Sequence, residues 1–398
     1  MNTRINIISF CCMANVFDYL DWRGDLSFRA DPFNVVDNII FSIFSYYPFD
    51  GIVGRDFTEA AVPMTEAVKK LCAAMKGDPS IERLFLFGER QKNFLFRLAE
   101  VRRYSDCTLR GYVNKVDSSR EMQFAVITIQ MPDTQAYISF RGTDAAIVGW
   151  KEDFNMILDE AIPAQIEAAA YLNAAAKQID GKINIGGHSK GGNLAVYAAS
   201  FCDAAIQNRI ETVYSNDAPG FNKSVTASRQ YKNIESKIDC YIPQGSVIGL
   251  LFEYVKHYKV VKSSETGLLQ HDPFSWELTG KNMIYISSIT KESHFVNKTL
   301  MQWLENMDQP ARLIFIETLF TIVNEANIKS IPDFTDNTLK NTALLIKSLH
   351  NVDNESKKML FKAFSALFEI AKSNIYYFLG GKPPIKKQNT PAVNYDTI

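Results

Sequence analysis

Apolar positions recur three and four apart through the first quarter of the chain. DPFNVVDNIIFSIFSYY opens on an Asp-Pro start signal, and VPMTEAVKKLCAAMKG and SIERLFLFGERQKNFLFRLAEVRR repeat the spacing, so residues 1–105 are predicted to form a mainly helical N-terminal cap. The pattern then changes. LRGYVNKVD, FAVITIQM and AYISFRGT are short, rich in Val, Ile, Tyr and Phe, and separated by polar turns, which predicts strands in a meander.

After Gly149 a helical AQIEAAAYLNAAAKQI is followed by a strand KINIGG, a helix GNLAVYAASFC and the strands ETVYSND, KIDCYIP and YKVVKSS. Strands alternating with helices of this length imply crossover units and an α/β core over 106–290 with a mostly parallel sheet. Beyond Thr290 strand signals stop. FVNKTLMQWLENM, PARLIFIETLFTIVNEA, LKNTALLIKSLH and SKKMLFKAFSALFEIAKSNIYYFL have helical spacing, giving a C-terminal helical region over 291–380 and a flexible tail over 381–398.

The run VVDNIIFSIFSYYPF is the longest apolar stretch, but Asp37 interrupts it; it reads as an amphipathic helix ending near Pro48 and is too short to cross a bilayer. The N-terminus has no clear cleavage site, and coherent amphipathic sequence begins only after Met13, so Met1 and Met13 both stand as start sites. With 46% hydrophobic residues among 398, the chain has material for a sizeable core. Lys plus Arg number 43 against 44 Asp plus Glu, which removes the global basic excess expected of a nucleic-acid binder. Six scattered cysteines lack a CxxC pair or a metal-ligand spacing, as expected of reduced thiols in a cytoplasmic protein.

Chemistry concentrates in IGGHSKGGNLAVYAAS. Gly187, His188, Ser189, Lys190 and Gly191 spell G-x-S-x-G between a strand and a helix, the setting of a nucleophile elbow. Glycines two positions from the serine let strand and helix approach, and the start of the helix favours developing negative charge. The Lys190 amide is the expected oxyanion donor, with the Thr143 amide in FRGTD as the second. The Lys190 side chain is expected in solvent, the alternative being contact with an anionic group of the substrate. A serine nucleophile needs a base, and of five histidines His271, in the loop TGLLQHDPFSW after the last expected core strand, is best placed; His294 is the reserve and His188 is expected to be structural. Asp217, directly after the strand that follows the elbow helix, leads as the acid. Asp272 is a weaker alternative, and Asp239 falls at the opposite strand end.

These segments carry a resemblance. FRGTD, GWKEDF and GGHSKGGNLA resemble the class 3 lipase branch of the alpha/beta hydrolases. The longer series YLDWRGDLSF, SFRGTD, GHSKGGNLAVYAA, NDAPGF, IPQGSVIGLL and LLQHDPFSW resembles the Mbeg-like family of bacterial alpha/beta hydrolases over roughly residues 13–280. The resemblance implies an alpha/beta hydrolase fold, with Ser189 and His271 as nucleophile and base and Thr143 and Lys190 at the oxyanion. At the acid the sequence departs from class 3 lipases, because Gln244, Gly245 or Ser246 stands where an Asp is usual; either the acid is Asp217, one strand earlier, or the triad is incomplete.

The expected function is hydrolysis of an ester or thioester of an apolar, lipid-like acyl chain, with no cofactor and no metal. An acyltransferase would use the same residues. A non-catalytic interaction or lipid-binding module would keep the elbow without the acid. The expected partner is a small-molecule acyl ester, with no nucleic acid and no obligate protein; the helical flanks offer faces for a lid or for peripheral membrane contact.

Overall fold

A computed structural model describes residues 14–132, 135–144, 146–156, 158, 160–252, 257–326 and 338–378. Both start methionines and the tail over 381–398 lie outside the described residues.

Three expected meander strands are β2 (Thr108–Asp117), β3 (Met122–Gln130) and β4 (Ala136–Phe140), joined at one edge by the short β1 (Val62–Pro63). The crossover strands are β5 (Ile183–His188), β6 (Ile210–Asn216), β7 (Ile238–Pro243) and β8 (Tyr258–Val261). β9 (Leu278–Thr279) and β10 (Asn282–Met283) pair only with each other, and β11 (Tyr285–Ile286) closes the far edge against β8. The nine-stranded sheet runs β1-β2-β3-β4-β5-β6-β7-β8-β11. Its pairings are antiparallel from β1 to β4, parallel from β4 to β8 and antiparallel again at β11.

β3 and β4 read as nearly continuous apolar runs because both of their faces are covered. Phe124, Val126, Ile138 and Phe140 enter one core; Ile127, Ile129 and Tyr137, on the alternate positions, enter another. The first core is closed by α6 (Pro163–Ala175) and α7 (Lys190–Phe201). The second lies under the N-terminal segment, whose helices are α1 (Val16–Arg23), α2 (Val35–Phe44), α3 (Met64–Gly77) and α4 (Gly88–Leu98).

α2 departs from the amphipathic helix read in the sequence: every residue from Val36 to Phe44 is buried, and the helix ends before Pro48. It lies across β4, β5 and β6. Its polar residues are satisfied inside the protein, with Asn38 bonded to Asn216 and Tyr137 and Ser42 bonded to Asn216, so burial leaves no orphaned amide. Asp37, also buried, accepts both Nε and Nη2 of Arg103 at 2.6 Å.

α5 (Ile147–Asn155) follows β4. The C-terminal helices Lys291–Glu305, Gln309–Glu325, Thr338–Asn351 and Asn354–Phe378 follow the sheet, as the periodicity predicts, and share a third core around Trp303, Phe315, Phe320 and Leu360. Phe320 meets Phe154 of α5 edge-on, 5.6 Å between ring centroids. Among the described residues no helix is long and apolar enough to cross a membrane.

Candidate active site

Thr143, Ser189, Lys190, Asp217 and His271 all follow the C-terminal ends of sheet strands, the edge where parallel α/β sheets place their sites. β5 ends at His188 and α7 begins at Lys190, leaving Ser189 alone in the turn with φ +59° and ψ −135°. A non-glycine residue at positive φ is strained and held by its surroundings; here the Ser189 amide donates to Asn216 O at 2.9 Å. A Cβ on Gly187 would collide with the Gly191 carbonyl group, and one on Gly191 with Phe140 O. The glycines therefore permit the contact that makes the elbow.

Asp217 follows β6, also at positive φ (+47°), its amide bonded to Tyr241 O at 2.7 Å. Its buried carboxylate is divided between two duties. Oδ2 lies 2.6 Å from His271 Nδ1. Oδ1 accepts from Ser246 Oγ at 2.5 Å and from the Gly249 amide at 3.2 Å. With the carboxylate as acceptor, Nδ1 carries the ring proton and Nε2 keeps its lone pair, the tautomer a general base requires. Asp272 is turned away from this contact and pairs with Arg90 at 2.7 Å. Asp239 starts β7 and pairs with Lys259. His257 immediately precedes β8, and His294 lies in the first C-terminal helix.

The His271 loop is fixed by its own contacts. Trp276 Nε1 donates to Gln270 O, and the Gly245 amide donates to Gln270 Oε1. His188 ties this loop to the elbow: its Nε2 donates to the main-chain carbonyl of His271 at 2.7 Å, and the two rings lie 4.5 Å apart. Since a carbonyl only accepts, Nε2 holds the proton and Nδ1 accepts from Tyr46 OH, 3.1 Å away. Burial, with His271 adding to it, pushes the His188 pKa well below the ordinary value. The ring stays neutral and structural, as the sequence suggested.

On the β4 side, Phe140 is in register with Gly187, which brings residues 141–143 beside the elbow. The amides of Thr143 and Lys190 donate to no other described residue, leaving both free for an oxyanion. Their side chains are tied to consecutive residues of α5. Thr143 Oγ1 donates to Asp153 Oδ2 at 2.5 Å. Lys190 Nζ meets Glu152 Oε2 at 2.8 Å and Gln123 O at 3.2 Å. The lysine expected in solvent is 1% exposed. Its ammonium is held inside because Glu152, buried and accepting also from the Gln123 and Ala164 amides, supplies a fully satisfied counter-charge. Asp153 Oδ1 is buried without a hydrogen bond, 3.7 Å from Lys190 Nζ; burial raises the Asp153 pKa to about 6, with Lys190 working in the opposite direction.

Sequence reasoning passed over Glu152, Asp153 and Tyr46, and it named Ser246 only as standing where an acid is usual. Only the segment GWKEDF carried a usable signal, two adjacent carboxylates shortly after FRGTD. Ser246 is the informative case. The segment after β7 provides a hydroxyl that bonds the Asp217 carboxylate at the end of the neighbouring strand β6.

Residues 98–321 match the family described as Mbeg1-like. No curated protein matches the chain in sequence. Similar solved structures include the native Rhizomucor miehei lipase propeptide complex, 11% identical with a TM-score of 0.30, covering 66% of this chain and 90% of that one. A deletion mutant of the same complex is 12% identical with a TM-score of 0.31, covering 60% of this chain and 77% of that one.

Proposed function

The chain belongs to the Mbeg1-like family, and we propose that it is a serine hydrolase of the alpha/beta hydrolase fold that cleaves an ester or thioester of an apolar, lipid-like acyl chain. The observation that carries this reading is the 2.6 Å contact between Asp217 Oδ2 and His271 Nδ1, on a loop bonded to the elbow that presents Ser189. Ser189 Oγ attacks the acyl carbonyl while His271 Nε2 takes its proton, and Asp217 stabilises the resulting imidazolium. The tetrahedral oxyanion is received by the Lys190 and Thr143 amides, at the positive end of α7. Collapse expels the alcohol or thiol, protonated by His271. Water then repeats the sequence on the acyl-enzyme, and the residues need no cofactor for either half.

The buried Asp217 counts against a non-catalytic module that has lost its acid. A fluorophosphonate probe is expected to label the wild type and not Ser189→Ala; equal labelling of both removes the assignment. p-Nitrophenyl esters of increasing acyl length, compared on the same two proteins, test the apolar substrate, and mutant-like rates at every length would end the ester reading.

A further inference from the structure

The C-terminal helix Asn354–Phe378 uses one face to close the third core, through Leu360 and Ala363 with Leu367 and Ile370 beside them. Its opposite face is not polar. Lys358, Phe361, Phe364, Phe368 and Lys372 are spaced three, three, four and four apart, so they form one stripe, about 21 Å long at 1.5 Å per residue. The three phenylalanines are 58%, 46% and 68% exposed, and a lysine is exposed at each end. Among the described residues, Phe364 alone of the three has a ring neighbour, Phe315, 5.6 Å away at its edge.

Three exposed aromatic rings on one helix face are unfavourable in water and mark a contact surface. The charge around them selects the partner. The helix carries four lysines, at 357, 358, 362 and 372, against Glu355 and Glu369, in a chain whose net charge is −1. A second copy of the chain does not complement this stripe. Packed parallel or antiparallel, two such helices set a terminal lysine of one against a terminal lysine of the other. The helix also carries too much charge to span a bilayer.

We propose that the Lys358–Lys372 stripe docks the protein on an anionic lipid bilayer. Phe361, Phe364 and Phe368 sink into the boundary between headgroups and acyl chains, and the two end lysines extend to anionic headgroups. The helix lies in the plane of the surface while its inner face keeps the third core intact.

Flotation of the full chain with vesicles tests this. The wild type is expected to float with phosphatidylglycerol/phosphatidylcholine vesicles, to stay behind with phosphatidylcholine alone, and to be released as salt rises. Phe361→Ser/Phe364→Ser/Phe368→Ser and Lys358→Glu/Lys372→Glu are each expected to weaken binding by roughly tenfold or more. Thermal melting checks that the variants fold; Phe368→Ser alone, at the most exposed ring, replaces the triple variant if it does not. Ser189→Ala is expected to float as the wild type does, which separates this test from that of the hydrolase. Equal flotation of the variants and the wild type overturns the proposal. So does equal binding to the neutral vesicles, or a concentration-dependent dimer in sedimentation velocity that the phenylalanine substitutions abolish while no protein floats.

Discussion

Lys190 Nζ and Glu152 Oε2 lie 2.8 Å apart with side chains 1% and 0% exposed, one residue beyond the elbow serine. Removing one member of a buried pair strands the other charge, at a cost of about 3–5 kcal/mol, whereas replacing both by apolar groups of similar volume is often near neutral. Glu152→Gln is therefore expected to lower the unfolding free energy by about 3 kcal/mol, and Glu152→Leu/Lys190→Met to lower it by much less than the two single changes together. Urea denaturation of Glu152→Gln, of the double variant and of its two component single variants checks both statements. A single substitution costing under about 1 kcal/mol would show that the pair does not carry the charge of the elbow.

Asp153 titrates where a stability profile can see it. Its pKa rises from an ordinary 3.8 to about 6 on folding, so the folded protein holds the proton more tightly than the unfolded chain. Its contribution is fully present below about pH 4, declines as the unfolded chain ionises first, and is lost once pH passes about 6. Asp153→Asn keeps an oxygen for Thr143 Oγ1 and cannot ionise. Relative to the wild type, this variant is expected to gain about 2 kcal/mol between pH 4 and pH 7.5. Unfolding curves at four or five pH values measure the difference, and a constant offset across the range sinks the assignment.

His188 acts in the opposite sense over an overlapping range. Its pKa in the folded protein is pushed well below 6.5 by burial, so as pH falls the unfolded chain takes up a proton that the folded one refuses. Stability present above 6.5 is lost at about 1.4 kcal/mol per pH unit below it. His188→Gln removes the group, and the slope of stability against pH below 6.5 is expected to change by about one proton's worth, acidification no longer costing stability through this ring. Asp153 and His188 oppose each other in the wild type, so the two slopes are visible only in the single variants. An unchanged slope in His188→Gln would mean that the ring is protonated inside the fold.

The parts of this site that were legible in the sequence are those attached to a local pattern. The strand KINI, the glycines and the alanine-rich helix locate Ser189 at a turn. Asp217 and His271 each follow a strand, which is why both come to the same sheet edge. The buried support was not legible, because its pairing is remote. Glu152 lies 38 residues before Lys190, and nothing beside a lysine in an elbow marks it as buried. α2 misled for a related reason. Asn38 and Ser42 look like a polar face in one dimension, yet their partner is Asn216 at the end of β6. Asp217 combines both cases: its position after β6 is readable, but its support by Ser246 depends on β7 lying next to β6.

That support separates the role of Asp217 from the role of Ser246. Asp217→Asn keeps the shape and offers His271 an amide, which allows the wrong tautomer; a buried acid with this duty is worth about 10⁴-fold in turnover. The expected result on a p-nitrophenyl ester is a loss of about 10³- to 10⁴-fold in kcat with KM little changed. Ser246→Ala leaves the Asp217–His271 contact in place and removes one hydrogen bond to the other carboxylate oxygen. Hydrogen bonds to charged groups contribute about 1.5–3 kcal/mol, so a smaller loss of roughly 10- to 100-fold is expected, with fluorophosphonate labelling of Ser189 slowed and not abolished. If Asp217→Asn turns over as fast as the wild type, the acid lies elsewhere. If Ser246→Ala is as damaged as Asp217→Asn, the hydroxyl does more than hold the carboxylate, and the division of duties between its two oxygens is wrong.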